Sequence, residues 1–97
     1  MANIPFSLPL WRYTAGKGSW YFITLSYEDA DFIRWIQDKT VVGFGFVRVE
    51  VTIGSSIWQT SIFPTKEGKY LLAIKAEIRK KERLSEGNIV NGTIHLL

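Results

Sequence analysis

The 97-residue chain contains no cysteine, one histidine, one methionine and three prolines. The missing cysteines exclude a disulfide scaffold, a thiolate nucleophile and any cysteine-ligated metal site. A single histidine, His95, excludes a multi-histidine metal centre within one chain. No run of about 18 apolar residues occurs, which leaves no candidate transmembrane helix. The first nine residues have no basic flank, and Pro5 and Pro9 interrupt any helix there, so no export signal is expected. A cytoplasmic location follows as the expectation, and the glycosylation pattern at Asn91-Gly92-Thr93 is then read as chance. What the chain does have is 46% hydrophobic and 14% aromatic residues, too apolar for a disordered tail. Length and composition suit one domain over residues 1–97, with no repeat or linker.

Read along the chain, Ile4 to Tyr13 forms a first strand, with Pro9 confining it to an edge. The turn Ala15-Gly16-Lys17-Gly18-Ser19 leads to a second strand, Trp20 to Leu25, in hairpin with the first. Ser26 then caps a helix whose first turn carries Glu28, Asp29 and Asp31. Acids at that end complement the helix dipole, so capping explains the cluster better than acid–base catalysis does. Phe32, Ile33 and Ile36 are expected as its buried stripe with Trp35 beside it, and Lys39 as its closing charge.

Phe46 to Phe63 constrains the fold most tightly. Val47, Val49, Val51 and Ile53 alternate with polar residues, and Trp58, Thr60 and Ile62 do the same downstream. A two-residue loop at Gly54-Ser55 pairs Val51 with Trp58, Val49 with Thr60 and Val47 with Ile62. It pairs Arg48 with Ser61 and Glu50 with Gln59 on the opposite face. A three-residue loop would mix apolar and polar faces, so the shorter loop is selected, with a type II′ turn at Gly54. Tyr70 to Ile74 reads as a further strand and Lys75 to Glu82 as a short helix. Glu86-Gly87-Asn88 is a turn before a last strand, Ile89 to Leu96, with Val90, Ile94 and Leu96 on one face. The aromatics stand mostly at alternating strand positions, which predicts core burial.

Several motifs in this order resemble the bacterial "domain of unknown function 1905" family. They are Leu10-Trp11-Arg12-Tyr13 with Gly18 and Trp20, then Gly43-Phe44-Gly45 followed by Val49 to Gly54. Trp58 to Pro64, Tyr70-Leu71-Leu72, Lys75 to Lys81 and Glu86-Gly87-Asn88 continue the match over nearly the whole chain. The resemblance implies a mainly β fold, a small double-split β-barrel (a pseudobarrel) with short helices. It supplies no catalytic residues. Three positions depart from the family pattern: Ala73 where proline is usual, Val42 where a basic residue is usual, and Asn88 where aspartate is usual.

Three constellations are candidates for function. A hydrolase triad would need His95 to meet Ser61 or another hydroxyl, and no spacing indicates it, so His95 is read as a surface residue. Gly43-Phe44-Gly45 lacks the third glycine and the strand-to-helix context of a phosphate loop and is read as permitting a tight turn or close backbone packing. Arg48, Glu50, Gln59 and Ser61 project from one face of the central hairpin, either as a solvated sheet surface or as a polar-ligand face beside Trp58 or Phe63. Lys75, Arg79, Lys80, Lys81 and Arg83 stand against Glu77 and Glu82, which places the whole formal charge of +3 within residues 75–83. Such a segment is either a solvated helix face or a contact for nucleic acid or another polyanion. Its outline of strand, basic helix, glycine turn and strand resembles swapped-hairpin DNA-binding regulators.

The expectation is therefore a mainly β barrel of about six strands and two short helices. Its expected role is a non-enzymatic binding or interaction module without cofactor or metal. The alternative is nucleic-acid or polyanion binding through residues 75–83. Nucleic acid or another protein is the candidate partner, and the open strand edges leave oligomeric state undecided.

Overall fold

The computed structural model describes residues 3–37 and 45–97. Its elements are β1 (Asn3–Pro9), β2 (Trp11–Ala15), β3 (Gly18–Thr24), α1 (Tyr27–Gln37), β4 (Val47–Ile53), β5 (Ser56–Pro64), β6 (Tyr70–Ala73), α2 (Ala76–Lys81) and β7 (Ile89–Leu96). The alternation in β4 and β5 has the expected consequence. Ile53 faces Ser56, Val51 faces Trp58, Val49 faces Thr60 and Val47 faces Ile62, while Arg48 faces Ser61 and Glu50 faces Gln59. Gly54 alone takes a positive φ, +57°, in the two-residue loop, as a type II′ turn requires of its first position.

All strand pairs are antiparallel, in the order β1-β7-β4-β5-β6-β3-β2. The sheet curls into a half-barrel, and β5 is where its two halves meet. Ser56 to Ile62 pair with β4, whereas Phe63 and Pro64 pair with Leu71 and Tyr70 of β6. The inner face carries Ile4, Phe6, Val90, Ile94, Leu96, Val47, Val49, Val51, Ile53, Ile62, Leu72 and Ile23, all buried. Ala30 and Ile33 of α1 and Ile78 of α2 are buried in the same core. Gly92 has to be glycine within this face. A Cβ there would lie 2.6 Å from the Thr52 carbonyl oxygen and 2.7 Å from the Phe6 ring.

Four expectations are corrected. Ile4 to Tyr13 is two strands rather than one, which raises the strand number to seven. Leu10 N–H donates to the Asn88 carbonyl at 2.9 Å, and Gly87 N–H donates to the Leu10 carbonyl at 2.8 Å. The chain is thus tied to the turn before β7 and crosses there from β7's side to pair with β3. Pro9 does stand on an edge strand, as expected. The first turn shrinks to Gly16-Lys17, since Ala15 already pairs with Gly18.

On α1, Ser26 caps as expected, its hydroxyl accepting from Asp29 N–H at 3.1 Å. Its buried face, however, is Ala30 and Ile33, with Ile36 partly covered, while Phe32 and Trp35 are exposed. The face keeps Ile33 and Ile36 but is completed by Ala30, at i−3 from Ile33, rather than by its neighbour Phe32, which points about 100° away. Lys39 and Gly43-Phe44 lie outside the described residues. The aromatic expectation also fails. Among the described aromatics only Phe6 and Tyr70 are buried, and Trp11, Phe22, Phe63 and Phe46 instead form a chain of ring contacts at 5.2 to 6.1 Å. These rings stand on the side of β2, β3 and β5 facing away from Ile23 and Ile62.

Candidate binding groove

The short length of β6 creates a concavity. β6 lies between β5 and β3, pairing Phe63–Leu71 on one side and Phe22–Ala73 on the other. After Ala73 the chain leaves the sheet through Ile74 and Lys75 into α2, but β5 and β3 continue. Among the described residues, Trp58 to Thr60 then pair only with β4, and Ser19 to Tyr21 only with β2. The space between them is a groove of about 380 Å³, lined by those two triplets, by residues 73–76 and by Arg79. Each wall is three consecutive residues. Side chains of a strand alternate between faces, so a wall of consecutive residues is a strand edge.

Lys75 takes the N-cap position of α2 without a capping side chain, and its ammonium lies 3.7 Å from the exposed Glu77 carboxylate. One turn on, Arg79 is anchored twice. Its Nε donates to the Ile74 carbonyl at 3.1 Å, and its guanidinium lies 3.7 Å from the centre of the Tyr21 ring. Such a planar cation over an aromatic face is held in place rather than solvated, and its two terminal amino groups keep donors for an oxygen-rich ligand. Trp20, itself packed on Gly18, and Trp58 give the groove aromatic rims.

The five basic residues of the segment therefore divide. Lys75 and Arg79 line the groove, while Lys80, Lys81 and Arg83 are exposed beyond it. Glu82, counted in the sequence only as a compensating charge, clamps the β4–β5 turn. It accepts from the buried Ser56 hydroxyl at 2.6 Å and from Ser55 at 3.3 Å. A Cβ on Gly54 would fall 2.0 Å from the Glu82 carboxylate, so the turn glycine is needed for this contact as well as for its φ.

The second candidate set does assemble on one face of β4 and β5. Arg48 donates to the Ser61 hydroxyl at 3.2 Å, and Glu50 stands between Gln59 on β5 and His95 on β7. His95 in turn faces Asn3 on β1, with His95 Nδ1 2.5 Å from Asn3 Oδ1. The rung Asn3–His95–Glu50–Gln59 thus crosses four strands on the side away from the core. Of the four residues proposed for a polar-ligand face, only Gln59 reaches the groove. β4 intervenes between His95 and Ser61, which are also offset by two residues along the strands, a backbone separation of roughly 11–12 Å. Among the described residues no three His, Asp or Glu side chains gather into a potential metal site, and no helix is long and apolar enough to cross a membrane.

Residues 6–94 match the family model described as Domain of unknown function (DUF1905). The chain belongs to this family. The match spans both walls of the groove and α2, so the groove lies within the DUF1905 domain itself. Comparison with curated proteins finds no relative that matches the chain.

Trp20, Tyr21 and Thr60 had no place among the candidates read from sequence, and Trp58, expected beside the polar face, stands instead on the opposite side of β5, across from Val51. Periodicity assigned them to strands but carries no information on which strands become neighbours. The available signal was the brevity of the Tyr70 strand beside two longer ones.

Proposed function

We propose that this DUF1905 domain is a non-enzymatic binding module whose ligand site is the groove between β5 and β3. The observation that carries the reading is the convergence, on one concavity, of an anchored guanidinium, an exposed ammonium and two tryptophan edges. Pockets of this size with a few fixed polar groups among aromatic walls are the common form of a recognition site. The fixed charge selects ligands bearing carboxylate or phosphate oxygens. A cytoplasmic location belongs to the same reading, since a chain free of cysteine loses nothing in a reducing compartment. A thermal-shift screen of nucleotides, sugars and carboxylates tests it. A ligand of the groove raises the melting temperature of the native chain and does so less for Trp20→Ala. A melting shift that Trp20→Ala leaves unchanged removes the groove as the site, and silence across all three classes leaves only protein partners.

A second reading, polyanion binding through Lys75, Arg79, Lys80, Lys81 and Arg83, is favoured by the exposure of the last three. Lys75 and Arg79 lie in the groove, which a duplex is too wide to enter, so three cations rather than five meet its phosphates. Binding to an unrelated DNA duplex would then show a log–log salt slope of about −2.7, against about −4.5 for all five. No binding at low salt eliminates this alternative.

A further inference from the structure

We infer that the groove is a slot for one extended peptide strand carrying acidic side chains, which would continue the path that β6 abandons at Ala73. The inference rests on the groove being the binding site and names the ligand class it takes.

Width is the first argument. β5 and β3 are held apart by β6, so their separation where β6 ends equals two strand spacings, about 9.6 Å. An added strand fits such a gap with hydrogen-bonding distance to both walls. The facing triplets, at about 3.3 Å per residue, give it a path of about 10 Å.

Backbone polarity is the second. In an antiparallel ladder successive residues direct their N–H and C=O to opposite neighbours. Leu97 N–H donates to the Arg48 carbonyl, so Arg48 and Glu50 turn toward β7. Val49 and Val51 then turn toward β5 and engage Thr60 and Trp58. Gln59 is left with its backbone groups directed into the slot, in phase with Ser61, which stands in register with Ala73, and with Phe63, which uses its own on Leu71. On the other wall, Ile74 N–H donates to the Tyr21 carbonyl at 2.9 Å, which sets the same phase for Ser19. Among the described residues neither Gln59 nor Ser19 has a strand partner on that side. Two open edges facing each other are a template for strand addition.

Charge is the third. Trp58 stands opposite the buried Val51, on the inner side of the slot, and Arg79 over Tyr21 places α2 there too. Alternate side chains of an incoming strand project toward Lys75 and Arg79, and the intervening ones toward Trp20 and Gln59. Acidic residues alternating with apolar or aromatic ones match both sides. A single-stranded nucleic acid would meet the same cations and rings but would leave the two backbone edges unused.

The test uses the whole chain, 15N-labelled, titrated with capped pentapeptides that alternate Glu with Val, Thr or Tyr. Saturable shifts at the Gln59 and Ser19 amides are expected. N-methylation of the peptide residue lying between those edges should weaken binding about tenfold or more, because it removes a donor and blocks the wall. Lys75→Glu should weaken it about two- to fivefold without unfolding α2, whose N-terminal end tolerates a negative charge. Equal binding of the N-methylated peptide overturns the strand mode. So does binding of oligothymidylate or free succinate in the groove with none of any peptide, and in these cases the groove survives as a site. If no probe moves Gln59, Ser19 or Trp20, the slot and the groove fall together.

Discussion

Replacing Arg79 by alanine separates two views of the basic segment. If Arg79 were one more cation on a solvated helix face, its removal would change stability by no more than about 0.5 kcal/mol. The structure assigns it two specific contacts. The bond from Nε to the Ile74 carbonyl has a charged donor and is half-buried, a class that contributes about 1.5–3 kcal/mol. The guanidinium over Tyr21 adds about 0.5–1 kcal/mol. Alanine returns a few tenths through its helix propensity. The net expected loss is about 2–3 kcal/mol, which in a domain this small lowers the melting temperature by about 10–20 °C. Arg79→Lys, which keeps the charge without the flat fork, should recover only part of it. Lys80→Ala and Lys81→Ala, at exposed positions, are the internal controls and should stay within about 0.5 kcal/mol. Urea unfolding followed by tryptophan fluorescence reads all four variants. A loss at Arg79→Ala no larger than that of the lysines would refute the anchoring of α2 and, with it, the fixed cation on which the groove depends.

Glu82→Ala should cost about 1–3 kcal/mol by leaving the buried Ser56 hydroxyl without its acceptor, and a double-mutant cycle with Ser56→Ala should recover most of that as coupling. Arg83 has φ +57° at the end of α2, where Leu84 N–H reaches back to the Arg79 carbonyl in the pattern that favours glycine; Arg83→Gly should therefore stabilise the fold by about 1 kcal/mol in thermal denaturation. Burial raises the Tyr70 phenol above its usual value, against a smaller opposing effect of Arg34. The unfolded chain thus loses this proton first, so the stability that Tyr70 contributes is complete below about pH 10 and declines as pH rises through its folded value. Tyr70→Phe should flatten that alkaline decline, as read by unfolding midpoints measured across the range.

The sequence revealed most where two independent constraints coincided. In β4 and β5 the alternation fixed the faces and the two-residue loop fixed the register, so every pair from Val47–Ile62 to Ile53–Ser56 was legible. The N-cap at Ser26 and the short helix after Ile74 were readable from local chemistry alone. Legibility failed where the outcome depended on neighbours. Nothing local at Pro9-Leu10-Trp11 states that the chain changes partners from β7 to β3 there, because the break is made by hydrogen bonds to residues almost eighty positions away. Aromatics at alternating positions signal a face, but not whether that face is the inner one, and Trp11 and Phe22 occupy the outer. The basic segment was visible as charge. Its division into an anchored Arg79, a groove-lining Lys75 and three exposed cations required the position of Tyr21. The groove was least legible, since it is the consequence of a strand that ends early between two that do not.

The four tryptophans allow the central claim, that the space between β5 and β3 is the binding site, to be tested in one titration of 15N-labelled protein. Trp20 and Trp58 line the groove, Trp11 is tied through its indole N–H to the Thr24 hydroxyl at 2.8 Å, and Trp35 lies exposed on α1. On addition of an acidic ligand the indole resonances of Trp20 and Trp58 should move together with the Gln59 and Lys75 amides, while those of Trp11 and Trp35 hold still. Saturable shifts confined to Lys80, Lys81 and Arg83, or to Arg48 and Glu50, with both groove tryptophans unmoved, would contradict it.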